Sequence, residues 1–264
     1  GGYTWTKAVD PRNGKLTSDL SYHTAPVPVV FHNGRIWRTM EDEKGPGGWG
    51  TNFRAFLMSA SLKDDLLKAS SWTFSNTLAY DSSRLEGNFK GWLEGNTVLG
   101  PNGNIVNLLR VATKTGGGRA ALINYNKDGS IGTFNETNGF IDFPGGSTKF
   151  HILYDKKTKM YWALSNAVPE KHKGRAYTEG MTRNTLVLMT SGDLVNWSIR
   201  KTLLYHPDVA KHSFQYPTFL IDGEDIVFVA RTAYDDGRGG AYKQHDANFF
   251  TFHRVENFRK LLRK

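Results

Sequence analysis

Four short hairpins recur along the chain, and they constrain its fold more than any other feature. Residues 25–42 (APVPVVFHNGRIWRTMED), 95–113 (GNTVLGPNGNIVNLLRVAT), 149–166 (KFHILYDKKTKMYWALSN) and 215–234 (QYPTFLIDGEDIVFVARTAY) share one plan. Each opens with an apolar run, turns, and returns on a second apolar run that ends in a polar residue. The turns fall at Asn33-Gly34, Asn102-Gly103, Lys156-Lys157 and Asp222-Gly223. Asn-Gly and Asp-Gly between alternating runs are the strongest short-range hairpin signals, because the tight turns that match strand twist need positive φ. A third strand is expected after each hairpin, at residues 53–59, 119–126, 185–190 and 248–254. A fourth, outer strand is expected near Trp72, Phe134, Trp197 and Phe258. Four antiparallel strands repeated in series make a β-propeller blade. The chain therefore reads as all-β, a β-propeller of four-stranded antiparallel blades, four of them visible, in a single domain over residues 1–264. A β-sandwich would not give four similar sheets in series. The opening strands lie about 55 to 70 residues apart, long for a blade, so large connecting loops are expected.

Composition agrees with this reading and narrows the chemistry. With Trp 7, Tyr 11 and Phe 16 in 264 residues, a packed core is available, and Gly 28 favours turns over helices. The longest expected helix is short, over residues 61–70. No apolar run approaches the roughly 20 residues of a membrane helix. No signal peptide is visible, and the start at Gly1 rather than Met is that of a mature or truncated product. Cysteine is absent, which excludes disulfides, thiolate metal sites and cysteine nucleophiles. The formal net charge of +9 suits an anionic partner. No nucleic-acid-binding motif accompanies it, and an acidic substrate gathered by a positive cleft accounts for the same balance.

Propeller topology brings distant residues together. The first strand of a blade begins, and the second ends, at one face of the disc. The residues at those points are His23, Arg38, Glu41 and Asp42; Trp92, Glu94, Asn96 and Arg110; Lys149 and Asn166; and His212, Gln215, Tyr216, Arg231, Tyr234, Asp235 and Asp236. His245 and Asp246 return on the loop above. The stretch from 231 to 254 (RTAYDDGRGGAYKQHDANFFTFHR) reads as two strands joined by a polar loop, in which Asp and Gly could equally be ordinary turn formers. Arg38, Arg110 and Arg231 each close the second strand of their segment. Three guanidinium groups in one funnel call either for carboxylate partners, with Glu41, Asp42, Glu94 and Asp235 available, or for an anionic ligand held bidentately.

Two chemistries fit these residue types. In a retaining hydrolase, a Tyr activated by a Glu attacks the anomeric carbon and an Asp serves as acid. Tyr234 or Tyr216 with Glu94 or Glu41 would form the pair, and Asp42 or Asp236 the acid. In a lyase acting on a uronic acid, Arg neutralises the carboxylate while His212, His245 or Tyr234 removes the neighbouring proton. The expected catalytic set is Glu94, Tyr234, Asp42, Asp236 and His245. The expected substrate-binding set is Arg38, Arg110, Arg231, Glu41, Trp92, Asn96, Lys149, Asn166, His212, Gln215, Asp235 and Asp246. No cofactor is expected. His245-Asp246 with Asp235-Asp236 could hold a divalent ion, but their spacing matches no named motif. The segment 190–197 (TSGDLVNW) reads as structural, with Asp193 binding turn amides and Trp197 packing between blades.

Taken together, HTAPVPVVFHNGRIWRTMED, GWLEGN, FPGGSTKF, RNTLVL, SFQYP and the 231–254 stretch resemble bacterial secreted proteins of the exo-α-sialidase-like group of β-propellers. The likeness spans nearly the whole chain. GGYTWTK, residues 1–7, is similar to the end of the sialidase aspartate box, Ser-x-Asp-x-Gly-x-Thr-Trp. The sialidase Arg-Ile-Pro motif does not occur in this chain. The resemblance implies a six-bladed propeller whose N-terminal blades lie on an upstream segment, and a periplasmic or secreted location. It also implies a glycoside hydrolase that removes a terminal acidic sugar. A polysaccharide lyase on uronic-acid glycans and a non-catalytic glycan-binding propeller are the alternatives.

Overall fold

The computed structural model describes residues 2–18, 21–174 and 177–263; Gly1 and Lys264 lie outside them. Sheet I contains β1 (Val30–His32), β2 (Arg35–Asp42), β3 (Arg54–Ser61) and β4 (Trp72–Phe74). Sheet II contains β5 (Phe89–Leu99), β6 (Ile105–Thr113), β7 (Arg119–Tyr125) and β8 (Gly132–Phe134), with β9 (Phe140–Asp142) pairing the far half of β7. Sheet III is β10 (His151–Asp155), β11 (Met160–Ser165), β12 (Thr185–Ser191) and β13 (Ser198–Tyr205). Sheet IV is β14 (Ser213–Asp222), β15 (Asp225–Ala233) and β16 (Phe249–Val255). Neighbouring strands within each sheet run antiparallel, in chain order apart from β9. The fold is the all-β propeller that the hairpins predict.

The hairpin turns sit where the short-range signals place them, with one adjustment. Asn33 and Gly34 both take positive φ, 49° and 68°, and join β1 directly to β2. On sheet IV, Asp222 still pairs with Asp225, so the two-residue loop is Gly223-Glu224. Two expectations fail. Residues 61–70 form no α-helix; a single 3-10 turn at Ala69–Ser71 follows instead. Phe258 is not on an outer strand. It opens a 3-10 segment, Phe258–Arg263, and is fully buried, because the chain turns inward after β16 to cap the core. Sheet IV therefore has three strands and sheet II has five. Residues 2–7 form no strand, and Trp5 is 88% exposed.

Consecutive sheets pack face to face, and each interface has its own core. Trp37, Leu57, Trp92 and Leu109 fill the space between sheets I and II. Val98, Leu108, Phe150, Ile152 and Val187 fill that between II and III. Trp162, Leu186, Phe219, Phe228 and Phe258 fill that between III and IV. Truncating any of the three buried Trp to Ala would cost about 3–5 kcal/mol. Near the axis the sheets are tied by polar bonds. The Thr39 amide donates to Thr97 Oγ1 at 2.8 Å, and the Gly95 amide to Glu41 Oε1 at 3.0 Å. Asn96 accepts from the Ile152 amide at 3.1 Å and donates to the Phe150 carbonyl at 3.3 Å. Asn166 donates to the Phe214 carbonyl at 2.8 Å. In the 190–197 turn, Asp193 accepts from the amides of Val195 and Asn196, and Trp197 stands edge-on to Phe143.

Candidate functional site

Two β-bulges build the centre of the site. On β5 the register runs Leu93 opposite Arg110 and then Gly95 opposite Leu109, leaving Glu94 as the extra residue. On β14 it runs Gln215 opposite Arg231 and then Thr218 opposite Val229, so Tyr216 and Pro217 share one partner position. Tyr216 there has φ 52°, a conformation a bulky residue rarely adopts. Bulges re-aim side chains, and these two aim Glu94 and Tyr216 at each other across the funnel. The Tyr216 hydroxyl donates to Glu94 Oε1 at 3.0 Å, joining residues 122 positions apart. Arg110 Nη1 donates to the other carboxylate oxygen at 2.7 Å, and its Nε to the Ser147 carbonyl at 2.9 Å. That carbonyl is supplied by the FPGG turn. A Cβ on Gly145 would lie 2.0 Å from Ser165 Oγ, and one on Gly146 2.1 Å from the Arg119 carbonyl, so only glycine lets the turn pass there.

These groups open onto a cavity of about 420 Å³, a usual size for a small-molecule site. Its walls include His23, Trp49, Lys90, Arg110, Arg183, Tyr216 and His245. The balance of charge is strongly positive. Arg183 is buried, donating to Gln215 Oε1 at 2.6 Å and the Gly180 carbonyl at 2.8 Å. Arg231 lies 5.1 Å over the Tyr216 ring and donates to the His245 carbonyl at 3.1 Å. Among the described residues, neither Arg183 nor Arg231 has a carboxylate within ion-pair distance. Burial and the neighbouring charge of Arg110 bring the Arg183 guanidinium down to about 10. Keeping such a cation unpaired is costly, and an anionic ligand would offset that cost.

The carboxyl groups are driven apart. Burial alone would raise Glu94, but the charge of Arg110 and the bonds from Arg110 and Tyr216 hold it below its ordinary value, so it is a carboxylate. Glu41 is pushed up to about 8 by burial, which the Gly95 amide only partly opposes, and the Glu94 charge adds to the rise. Burial and Glu94 likewise raise the Tyr216 phenol, against the pull of Arg110 and Arg183. Lys149 is brought down to about 7 by burial, with Glu94 opposing. Its Nζ donates to the Pro217 carbonyl and to Thr218 Oγ1, so it braces the β14 bulge from below. His23 stacks on Phe53 at 4.3 Å, and burial lowers its pKa. At neutral pH the centre thus holds one ionised and one neutral carboxyl, a protonated phenol and unpaired guanidinium groups.

The remaining sequence-derived candidates divide by location. Arg110, Tyr216 and His245 line the cavity, Arg231 overlies Tyr216, and Gln215 holds Arg183. Glu41, Asn96 and Asn166 are buried ties between strands and sheets. Trp92 is core, its Nε1 donating to the Ala79 carbonyl. Arg38 points away from the funnel: along β2, Trp37, Thr39 and Glu41 face sheet II, so strand alternation turns Arg38 to the outer face, where it bonds Thr24. Asp42 lies on that outer side as well, in a two-bond pair with Arg54 at 2.8 and 2.7 Å. Asp236 is an exposed turn former that accepts from the amides of Arg238 and Gly240. Tyr234, His212 and Asp235 form a separate group beside the site, and Asp246 is an exposed neighbour of Lys243. Arg183 was not anticipated. It precedes β12 on a loop, and no hairpin pattern marks it.

No family model matches the chain, and no curated protein matches it. Solved structures do. An exo-beta-1,3-galactanase from Phanerochaete chrysosporium superposes with a TM-score of 0.57 at 10% identity, over 89% of this chain and 52% of that one. A fructofuranosidase from Schwanniomyces occidentalis gives 0.55 at 13%, over 93% and 49%. A GH32 beta-fructofuranosidase of Bombyx mori gives 0.51 at 16%, over 92% and 53%. At such identities the likeness is one of fold, and the chain spans about half the length of these proteins.

Proposed function

We propose that the protein is a glycoside hydrolase that releases a terminal acidic sugar, with Tyr216 as nucleophile and Glu94 as its base. The observation that carries this reading is the Tyr216–Glu94 hydrogen bond at the wall of a cavity that also presents Arg110 and Arg183. A neutral phenol is a weak nucleophile, and an adjacent carboxylate is the usual means of activating it. As the phenolic oxygen bonds to the anomeric carbon, its proton passes to Glu94 and the glycosidic bond breaks. The leaving oxygen takes a proton from a group at the rim, for which His245 is placed. Water then attacks the anomeric carbon, Glu94 returns its proton to Tyr216, and the water proton restores the rim group. Arg183 and Arg231 bind the sugar carboxylate. The glycosidase names of the three proteins with related folds support the reaction class. The preference for an acidic sugar rests on the unpaired guanidinium groups. An extracytoplasmic location and completion of the ring by an upstream segment belong to the same reading.

The test is product analysis on a panel of acidic glycans with the wild type and a Tyr216→Phe variant. A free acidic sugar that disappears in the variant supports the hydrolase. An ultraviolet-absorbing unsaturated uronide would replace it with a lyase. Binding without any product would leave a glycan-binding propeller.

A further inference from the structure

Beside the cavity, two loops bring together a set of side chains that the proposed reaction does not use. His206 and His212 lie between β13 and β14, and Asp235 follows β15. One donor atom from each of the three falls within 4.8 Å of the others. The two imidazole rings stack with centres 3.5 Å apart. His212 is only 5% exposed, yet its Nε2 has no hydrogen-bond partner. Its Nδ1 faces Asp208 Oδ2 at 3.0 Å. The buried Nε2 atom faces Asp235 Oδ2 at 3.4 Å. A cation held between these two atoms would give both a partner.

We propose that His206, His212 and Asp235 form a binding site for a divalent transition-metal ion of the zinc type. Two imidazoles and one carboxylate are a donor set that zinc takes with a fourth position left to water. The exposed side of Asp235 leaves that position open to solvent. Asp208 plays the outer-shell part, fixing the tautomer and orientation of His212 as carboxylates do behind metal-bound histidines. His206 is held by the Asp208 amide, which donates to its Nδ1 at 3.1 Å. The ion would pin the loop before β14 to the loop after β15, beside the strands that carry Tyr216 and Arg231. The proposal is independent of the sugar chemistry.

The test is titration of the chelator-treated full chain with zinc and with cobalt(II) at neutral pH. One ion per chain is expected, with the visible absorption of four-coordinate cobalt and a rise in Tm on adding zinc. Asp235→Asn, at an exposed position that leaves the fold intact, should weaken binding at least about 10-fold, and Asp208→Asn by about 10- to 100-fold. Binding that is equal in Asp235→Asn and wild type would place the ion elsewhere and overturn the proposal. So would an absence of zinc and cobalt binding to the wild-type chain.

Discussion

Replacing Glu41 by Gln tests the electrostatics of the site centre through stability alone. Glu41 is 1% exposed, accepts one bond from the Gly95 amide, and leaves Oε2 without a partner. Its pKa rises from an ordinary 4.5 to about 8 in the fold. The native state therefore keeps a proton that the unfolded chain releases above pH 4.5. Below that pH the group is protonated in both states and adds no pH-dependent cost. Stability is then lost progressively as pH rises, at about 1.4 kcal/mol per pH unit, until the native group itself ionises near pH 8. The accumulated loss is on the order of 5 kcal/mol, a large part of the roughly 5–15 kcal/mol typical of a whole domain. Gln keeps the shape and the bond from Gly95 but has no charge to bury. Urea unfolding of wild type and Glu41→Gln at pH 5 and pH 8.5 should show small differences at the lower pH and a several-kcal/mol advantage for the variant at the higher. Lys149 works in the opposite sense: its folded pKa is depressed, so its burial penalty eases above about pH 7. The quantity to read is therefore the difference between the two proteins, in which the Lys149 contribution largely cancels. A difference that does not change with pH would refute the buried, neutral assignment of Glu41.

Other perturbations separate chemistry from scaffold. Tyr216→Phe should abolish turnover, by at least about 10³-fold in kcat. It should lower stability by only about 1–3 kcal/mol, since Glu94 keeps its bond to Arg110; a variant within tenfold of wild type would exclude Tyr216 as nucleophile. Arg183→Met should raise KM for an acidic glycan by about 10- to 100-fold while changing stability little, because removing a buried cation without a carboxylate partner offsets the loss of its bonds to Gln215 and Gly180. An equal KM measured by initial rates would show that the substrate anion does not reach it. Asp42→Ala should cost about 1–3 kcal/mol in thermal unfolding through loss of the Arg54 pair, with kcat unaltered, because the pair lies on the outer face of sheet I.

The features that could be read from the sequence are those fixed by a few adjacent residues. Asn33-Gly34 and Asn102-Gly103 announce their turns because left-handed backbone is cheap only for such residues, and the alternating runs around them fix the strands. Phe258 escaped because an aromatic residue after a strand looks alike whether it continues the sheet or folds under it. Trp92 and Asp42 stand at strand positions equivalent to site residues, and only burial and pairing separate core and scaffold from site. Arg38 failed by parity: at period two, an odd offset, one residue from Thr39 and three from Glu41, reverses the face. Arg183 had no local signature at all, since its loop is positioned by sheets III and IV together.

The least legible features are also those on which the site depends. A regular β5 would leave no extra residue opposite the Leu109–Arg110 step, and a regular β14 would keep Tyr216 in extended backbone. Pro217, Gly91 and Gly95 are residue types that accompany bulges, but they do not say which side chain a bulge re-aims or at what. What holds the two bulges is long-range. Arg110 grips Glu94 from the next strand, and Lys149 reaches from before β10 to the Pro217 carbonyl inside the second bulge. Tyr216 at φ 52° is strained, and strain of that kind persists only where the surroundings over-determine it. The propeller supplies those surroundings on every side, with sheet II opposite, sheet III beneath and Arg231 stacked above. The phenol–carboxylate pair is therefore a property of three sheets acting together. A change that relaxes either bulge should separate Tyr216 from Glu94 without touching either residue.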